Sequence, residues 1–272
     1  MLPYFIYDQI TLGPITVYTW GFFVGLGFLA GWWLVLFQAK RKGLDSSRFF
    51  NLFIFILLGG LIGARLGYVL QFPRYYFFHP LEIFQAWAGG LMFYGGLLGA
   101  LLLGWLYLRL NFPHRDVGSL ASRISFWRIA DLIAPAAALG ISIGYIGCSL
   151  INDHQGALTA LPWGILWPDG ILRHPVAQYL VLNGLIMFFV LWFLRTRLKK
   201  PGQLFIISLF WYSLARFLLD FTRATDTYLA DPHYWSLSIS QWVSLGIILW
   251  ITLLAKKNFY VKLNICNSTN IK

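Results

Sequence analysis

Apolar residues fall along this chain in blocks of about twenty, the length a helix needs to cross the hydrocarbon core of a bilayer. Seven such blocks are legible, near residues 16–37, 50–70, 90–110, 129–150, 176–194, 203–222 and 239–255. The longest polar stretches between them, 111–128 and 151–175, are too short to bury a core of their own. The pattern predicts an all-α polytopic integral membrane protein, a single domain over 1–272 with about seven transmembrane helices.

Composition agrees: 58% of the residues are hydrophobic, 11% are charged, and there are 13 Trp. A net charge of +11 would suit nucleic acid, but its distribution points to a lipid bilayer instead. With the N-terminus outside, four basic clusters share one side: Lys40-Arg41-Lys42-Arg48, Arg109-Arg115-Arg123-Arg128, Arg195-Arg197-Lys199-Lys200 and Lys256-Lys257-Lys262-Lys272. Only Arg74, Arg173 and Arg223 lie opposite, so the positive-inside rule puts the N-terminus out and the C-terminus in the cytoplasm. Trp20, Tyr68, Trp127, Trp167, Trp235 and Trp242 near span ends suit interfacial belts. Two cysteines make no disulfide framework, and no basic region precedes the first block as in a cleaved signal peptide. The stripes Gly59/Gly63/Gly67, Gly95/Gly99 and Gly140/Gly144 read as close helix packing.

Charges inside the blocks carry the functional signal. Arg65 is the one charge in 51–70, and a charge near mid-helix costs roughly 2.5–3.5 kcal/mol on insertion scales. Arg216 and Asp220 stand four apart in the sixth block and Arg223 follows one turn later, so the three share a helix face. The topology carries Arg65, Tyr94, Asn152, Asp153, His154, Arg216, Asp220 and Arg223 to the outer leaflet. Two uses fit: an ion pair that neutralises itself in lipid, or guanidinium forks that bind the phosphate of an anionic headgroup. His79, His114, His154, His174 and His233 share no helix face, so no metal site is expected, and no cofactor motif is visible.

Five stretches resemble the bacterial prolipoprotein diacylglyceryl transferases: GARLGYV (63–69), AGGLMFYGGLLGA (88–100), ADLIAP (130–135), GYIGCSLINDHQGALTALPWGI (144–165) and ARFLLDFTR (215–223), with RHP (173–175) before the fifth block. They keep the family's order and span nearly the whole chain. The resemblance implies a bacterial inner-membrane enzyme that moves the sn-1,2-diacylglyceryl group of phosphatidylglycerol onto the lipobox cysteine of a preprolipoprotein signal peptide. A thioether forms and glycerol phosphate leaves, so a thiol must be deprotonated and a developing phosphate charge stabilised. Carried over residue by residue, it marks Arg65, Asp153, Arg216, Asp220 and Arg223, and it reads Asp131 as a cap or packing partner of the fourth helix.

This chain also departs from the family pattern. Tyr94 replaces the histidine before Gly95-Gly96, Tyr145 the signature arginine, Cys148 the following asparagine, and Trp20 an aromatic Tyr. After RHP, the usual Gln, Tyr and Glu give way to Ala177, Gln178, Tyr179 and Leu180. Tyr94 is a hydrogen-bond donor rather than a base, which leaves His154 and Asp153 as the candidates near the thiol. The catalytic set is therefore Arg65, Tyr94, Asp153, His154, Arg216 and Asp220, with Arg223, Asn152, Gly95, Gly96 and Tyr145 binding substrate. The loss of arginine at Tyr145 keeps open a homologue that only binds phospholipid. An anion transporter would call for paired repeats and broken helices, and neither is visible.

Overall fold

Each apolar block lies on a helix, but the helix limits move and short strands frame them. The computed structural model describes residues 1–13, 15–85, 90, 92–111, 126–226 and 233–269; at 12, 15, 93, 94 and 255–269 it describes the backbone alone. Arg115, Arg123 and Lys272 of the predicted basic clusters, and the side chains of Lys256, Lys257 and Lys262, lie outside the described residues. The helices are α1 (Thr19–Arg41), α2 (Ser46–Gln71), α3 (Pro73–Phe78), α4 (Phe93–Asn111), α5 (Phe126–Ile151), α6 (Val176–Leu194), α7 (Gln203–Asp220) and α8 (Ile239–Thr269), with a 3-10 turn at Pro80–Phe84. Among the described residues, five helices are long and apolar enough to cross a membrane: Thr19–Arg41, Ser46–Gln71, Phe126–Ile151, Val176–Leu194 and Gln203–Thr222. The third and seventh blocks form the shorter apolar helices Gly95–Asn111 and Ile239–Leu254.

Three local departures from the sequence reading have plain causes. The all-α expectation misses three two-stranded antiparallel sheets: β1 (Gln9–Leu12) with β2 (Ile15–Tyr18), β3 (Ile165–Leu166) with β4 (Leu172–Arg173), and β5 (His233–Tyr234) with β6 (Leu237–Ser238). The first apolar block begins as strand because Ile15, Thr16 and Val17 are β-branched and Gly13 takes the left-handed turn, φ +63°. Helix α1 starts only at Thr19, whose N–H donates to Asp8 O at 2.9 Å. Asp131 is no cap: α5 starts at Phe126, which puts Asp131 within the helix.

The chain divides into two compact units, Trp32–Leu132 and Met1–Gly31 with Ile133–Lys272. In the first, α2 packs on α4 through facing glycines. A Cβ on Gly99 would run into the carbonyl oxygen of Gly59 and lie 2.9 Å from Gly63 Cα, and one on Gly95 would meet Gly63 O. Small residues let the two backbones approach, which is how helices associate where lipid removes the hydrophobic drive. Gly99→Ala is therefore expected to cost about 1–3 kcal/mol, because the obstructing atoms are backbone and cannot rotate away. Thermal unfolding in detergent measures this, and an unshifted midpoint would show that the helices part without penalty.

In the second unit, Gly27 meets Gly140 in the same way and Gly31 meets Ala136 O, whereas Gly144 has only Val24 at 4.0 Å. Ala138, Met187, Leu191 and Leu204 form the buried centre of this unit. Ser142 Oγ donates to Val181 O at 2.9 Å and Trp211 Nε1 to Asn183 Oδ1 at 3.0 Å, so these polar groups within the helices are partnered. The segment after α5 is knitted to the end of α7: Ala157 N donates to Thr222 O at 2.8 Å and Ala224 N to Gln155 O at 3.0 Å.

Candidate functional site

Arg65 lies near the end of α2 and is 8% exposed. Its Nε donates to Ile83 O at 2.8 Å, Nη1 to Gly90 O at 3.0 Å, and Nη2 to Glu82 O. The guanidinium also lies 5.4 Å from the ring centroid of Tyr76. It thus clamps the segment that follows α3 by its main chain, a job the sequence does not reveal. Gly90, at φ +71°, must be glycine because a Cβ there would lie 2.7 Å from Arg65 Nη1. Beside this clamp is a cavity of about 390 Å³, lined by Arg65, Tyr68, Tyr75, Tyr76, Glu82 and Gln85 among others. Tyr94 is in the first turn of α4, with its side chain outside the described residues. Gly95 and Gly96 face α2, against Gly63 O, Gly60 O and Ala64 Cβ, which gives them a packing role.

The other predicted residues belong to the second unit. Asp220 closes α7 and is 5% exposed. Its Oδ1 lies 3.5 Å from Arg216 Nη2 and 3.8 Å from Arg223 Nη1; its Oδ2 accepts from Ser240 Oγ at 2.7 Å and from Ser238 Oγ. One carboxylate thus faces two guanidinium groups. Ser238 and Gln241 form a capping box at the start of α8: Gln241 N donates to Ser238 Oγ at 3.1 Å and Ser238 N to Gln241 Oε1 at 2.9 Å. Asp220 thus meets the start of α8 through both serines. Ser238, Ser240 and Gln241 were not foreseen, although the Ser-x-x-Gln spacing ahead of an apolar run was there to be read.

Tyr145 projects from α5 into the same corner. Its ring meets that of His154 edge to face at 5.8 Å, its hydroxyl hydrogen-bonds Tyr212, and Arg216 is within electrostatic reach. Past the helix end, Asn152 takes a left-handed φ of 49° and donates to Phe5 O. That reversal returns Asp153 and His154 toward α5: Asp153 N donates to Cys148 O at 3.2 Å, and His154 Nδ1 lies 3.5 Å from Asp153 Oδ2. The ligand atoms of Cys148, Asp153 and His154 fall within 4.8 Å of one another. The sequence reading weighed only histidines on a common helix face. The cluster forms across a helix end and a tight turn.

Arg173, placed by sequence among a few outer cations, is buried at 3% exposure. It holds Asp226 in a bidentate pair, both distances 3.1 Å, and donates to Gly156 O at 3.2 Å. A Cβ at Gly156 would strike His174 O, so this junction leaves no room for a larger residue. The Arg173 hydrogen bonds hold the Asp226 carboxyl below its ordinary value. With the folded value depressed, the stabilisation is present above the ordinary carboxylate range and is lost as pH falls through the depressed value. The parent is therefore expected to loosen over 155–175 on the acid side, as read by hydrogen exchange, and Asp226→Asn to remove that pH dependence. Identical acid profiles in parent and variant would rule the pair out as its cause.

Comparison with known sequences extends the match beyond single residues. A profile of the family described as prolipoprotein diacylglyceryl transferase matches residues 8–256. Three proteins named phosphatidylglycerol–prolipoprotein diacylglyceryl transferase align over most of the chain. That of Geobacillus kaustophilus is 36% identical, covering 90% of this chain and 91% of its own length. That of Bordetella parapertussis is 34% identical, covering 92% and 94%. That of Chromohalobacter salexigens is 32% identical, covering 89% and 86%.

Proposed function

This chain belongs to the prolipoprotein diacylglyceryl transferase family, and we propose that it moves the sn-1,2-diacylglyceryl group of phosphatidylglycerol onto the lipobox cysteine of a preprolipoprotein. It is a transferase of lipoprotein biosynthesis and a multi-pass membrane protein. The acceptor sulfur attacks the glyceryl carbon bonded to phosphate. That C–O bond breaks, and its electron pair leaves on glycerol phosphate.

The observation that carries the chemistry is the shared carboxylate of Asp220 between Arg216 and Arg223. Two guanidinium groups held by one carboxylate are oriented before a phosphate arrives. Arg216 and Arg223 are assigned to the leaving phosphate. Arg65 serves by holding the carbonyls of Glu82, Ile83 and Gly90 and by its charge. Asp153 and His154 are assigned to the acceptor thiol, and Tyr94 to a hydrogen bond to the headgroup. Asn152, Tyr145, Gly95 and Gly96 are assigned to shaping the space for substrate. Tyr145, the main sequence argument for a homologue that merely binds lipid, takes a defined place against His154 and Tyr212.

The charge pattern supports seven spans in the bacterial inner membrane, with the N-terminus out, the C-terminus in the cytoplasm, and 1–272 acting as one transferase domain. The test is product release. Purified protein with phosphatidylglycerol vesicles should release glycerol phosphate only when a lipobox cysteine acceptor is present. Equal release with an acceptor carrying serine at that position would mean lipid hydrolysis instead of transfer.

A further inference from the structure

Cys148, Asp153 and His154 offer one sulfur, one carboxylate oxygen and one imidazole nitrogen within 4.8 Å of one another. Around a tetrahedral Zn²⁺, with bonds of about 2.0–2.3 Å, neighbouring ligand atoms stand about 3.5 Å apart. The Asp153 Oδ2 to His154 Nδ1 separation is already 3.5 Å. Bringing all three ligand atoms to that spacing takes about 1 Å at most, and the Asp153 side chain is 56% exposed. The backbone is set beforehand by the left-handed Asn152, its hydrogen bond to Phe5 O, and the Asp153 N–H donated to Cys148 O. Trp20 donates to the Cys148 side chain, which orients the buried sulfur. A thiolate, a carboxylate and a neutral imidazole balance a dication, and the exposed carboxylate gives the ion a path in.

We propose that Cys148, Asp153 and His154 bind one Zn²⁺, and that its fourth position takes the acceptor cysteine of the prolipoprotein as a thiolate. The acceptor half of this rests on the transferase reading; the metal half does not. Three protein ligands with an open position are the arrangement of catalytic zinc sites, and a coordinated thiol is deprotonated by the ion's charge. The acceptor S–H gives its proton to solvent as its sulfur binds the ion. A sulfur lone pair then forms the C–S bond to the glyceryl carbon while the C–O electron pair leaves on glycerol phosphate. The zinc keeps its oxidation state throughout. This also answers how a chain with Tyr94 in place of a histidine activates a thiol near neutral pH.

The test uses full-length protein in detergent, stripped with a chelator and titrated with Zn²⁺ and, separately, Co²⁺. One ion per chain is expected, and the Co²⁺ form should show sulfur-to-metal charge-transfer absorption. That band should change on adding a lipobox peptide with cysteine and stay the same with the serine peptide. Cys148→Ser and His154→Gln should each bind Zn²⁺ about 100-fold more weakly or worse, as expected for losing one of three protein ligands. Absence of the charge-transfer band in the native protein, or unchanged affinity in Cys148→Ser, overturns the site. If the stripped protein transfers lipid at full rate, the thiol role falls while the transferase reading stands. A loaded protein that binds the acceptor thiol yet transfers nothing in any metal state overturns the transferase reading and leaves the metal site.

Discussion

Arg65→Ala is expected to release Glu82, Ile83 and Gly90 and to reduce transfer about 100-fold or more, while the protein still inserts. Three main-chain carbonyls, those of Glu82, Ile83 and Gly90, converge on one guanidinium. A hydrogen bond to a charged group contributes about 1.5–3 kcal/mol, and the three carbonyls would lose their donor together. A net loss of roughly 3 kcal/mol or more follows, felt at Glu82, Ile83 and Gly90. Arg65→Lys keeps the charge but cannot spread a rigid fork over three acceptors, so it should recover only part of the loss. Hydrogen exchange of 82–90 separates positioning from direct phosphate contact. Protection unchanged in Arg65→Ala, with transfer lost, would assign the residue to the lipid phosphate alone.

Asp220→Ala should have a comparable effect for a different reason. Removing the carboxylate leaves Arg216 and Arg223, whose side chains are 16% and 18% exposed, facing each other without the anion between them. It also strips Ser238 and Ser240 of their shared acceptor at the start of α8. Breaking a buried pair from one side costs about 3–5 kcal/mol, and the partial exposure of the arginines argues for the lower end. Transfer should fall about 100-fold because the phosphate-facing cations are no longer oriented. Asp220→Asn keeps an acceptor for the serines but not the charge. It should therefore restore much of the stability and little of the rate. If Asp220→Asn transfers as fast as the parent, the carboxylate does not set the arginines.

The intramembrane charges were legible in the sequence because lipid makes them expensive: Arg65, Arg216 and Asp220 stand out against apolar neighbours, and the glycine stripes name the packed faces. What each charge touches was not legible. Arg65 binds carbonyls that lie 17 to 25 residues further along the chain, and no side-chain pattern encodes a carbonyl acceptor. Arg173 looked like a surface cation because its partner, Asp226, is 53 residues away. The Cys148–Asp153–His154 cluster depends on the left-handed turn at Asn152, which helical spacing cannot anticipate. Strand at 15–18 was hidden because an apolar β-branched run reads equally as the start of a span.

The central claim is acyl-glyceryl transfer to a thiol, and the mass of the acceptor tests it most directly. Purified protein would be incubated with phosphatidylglycerol of one defined acyl composition and a preprolipoprotein bearing its lipobox. The account predicts a mass gain equal to one diacylglyceryl group, located on the lipobox cysteine and stable as a thioether. An acceptor of unchanged mass, from folded protein that still binds phosphatidylglycerol, would contradict it.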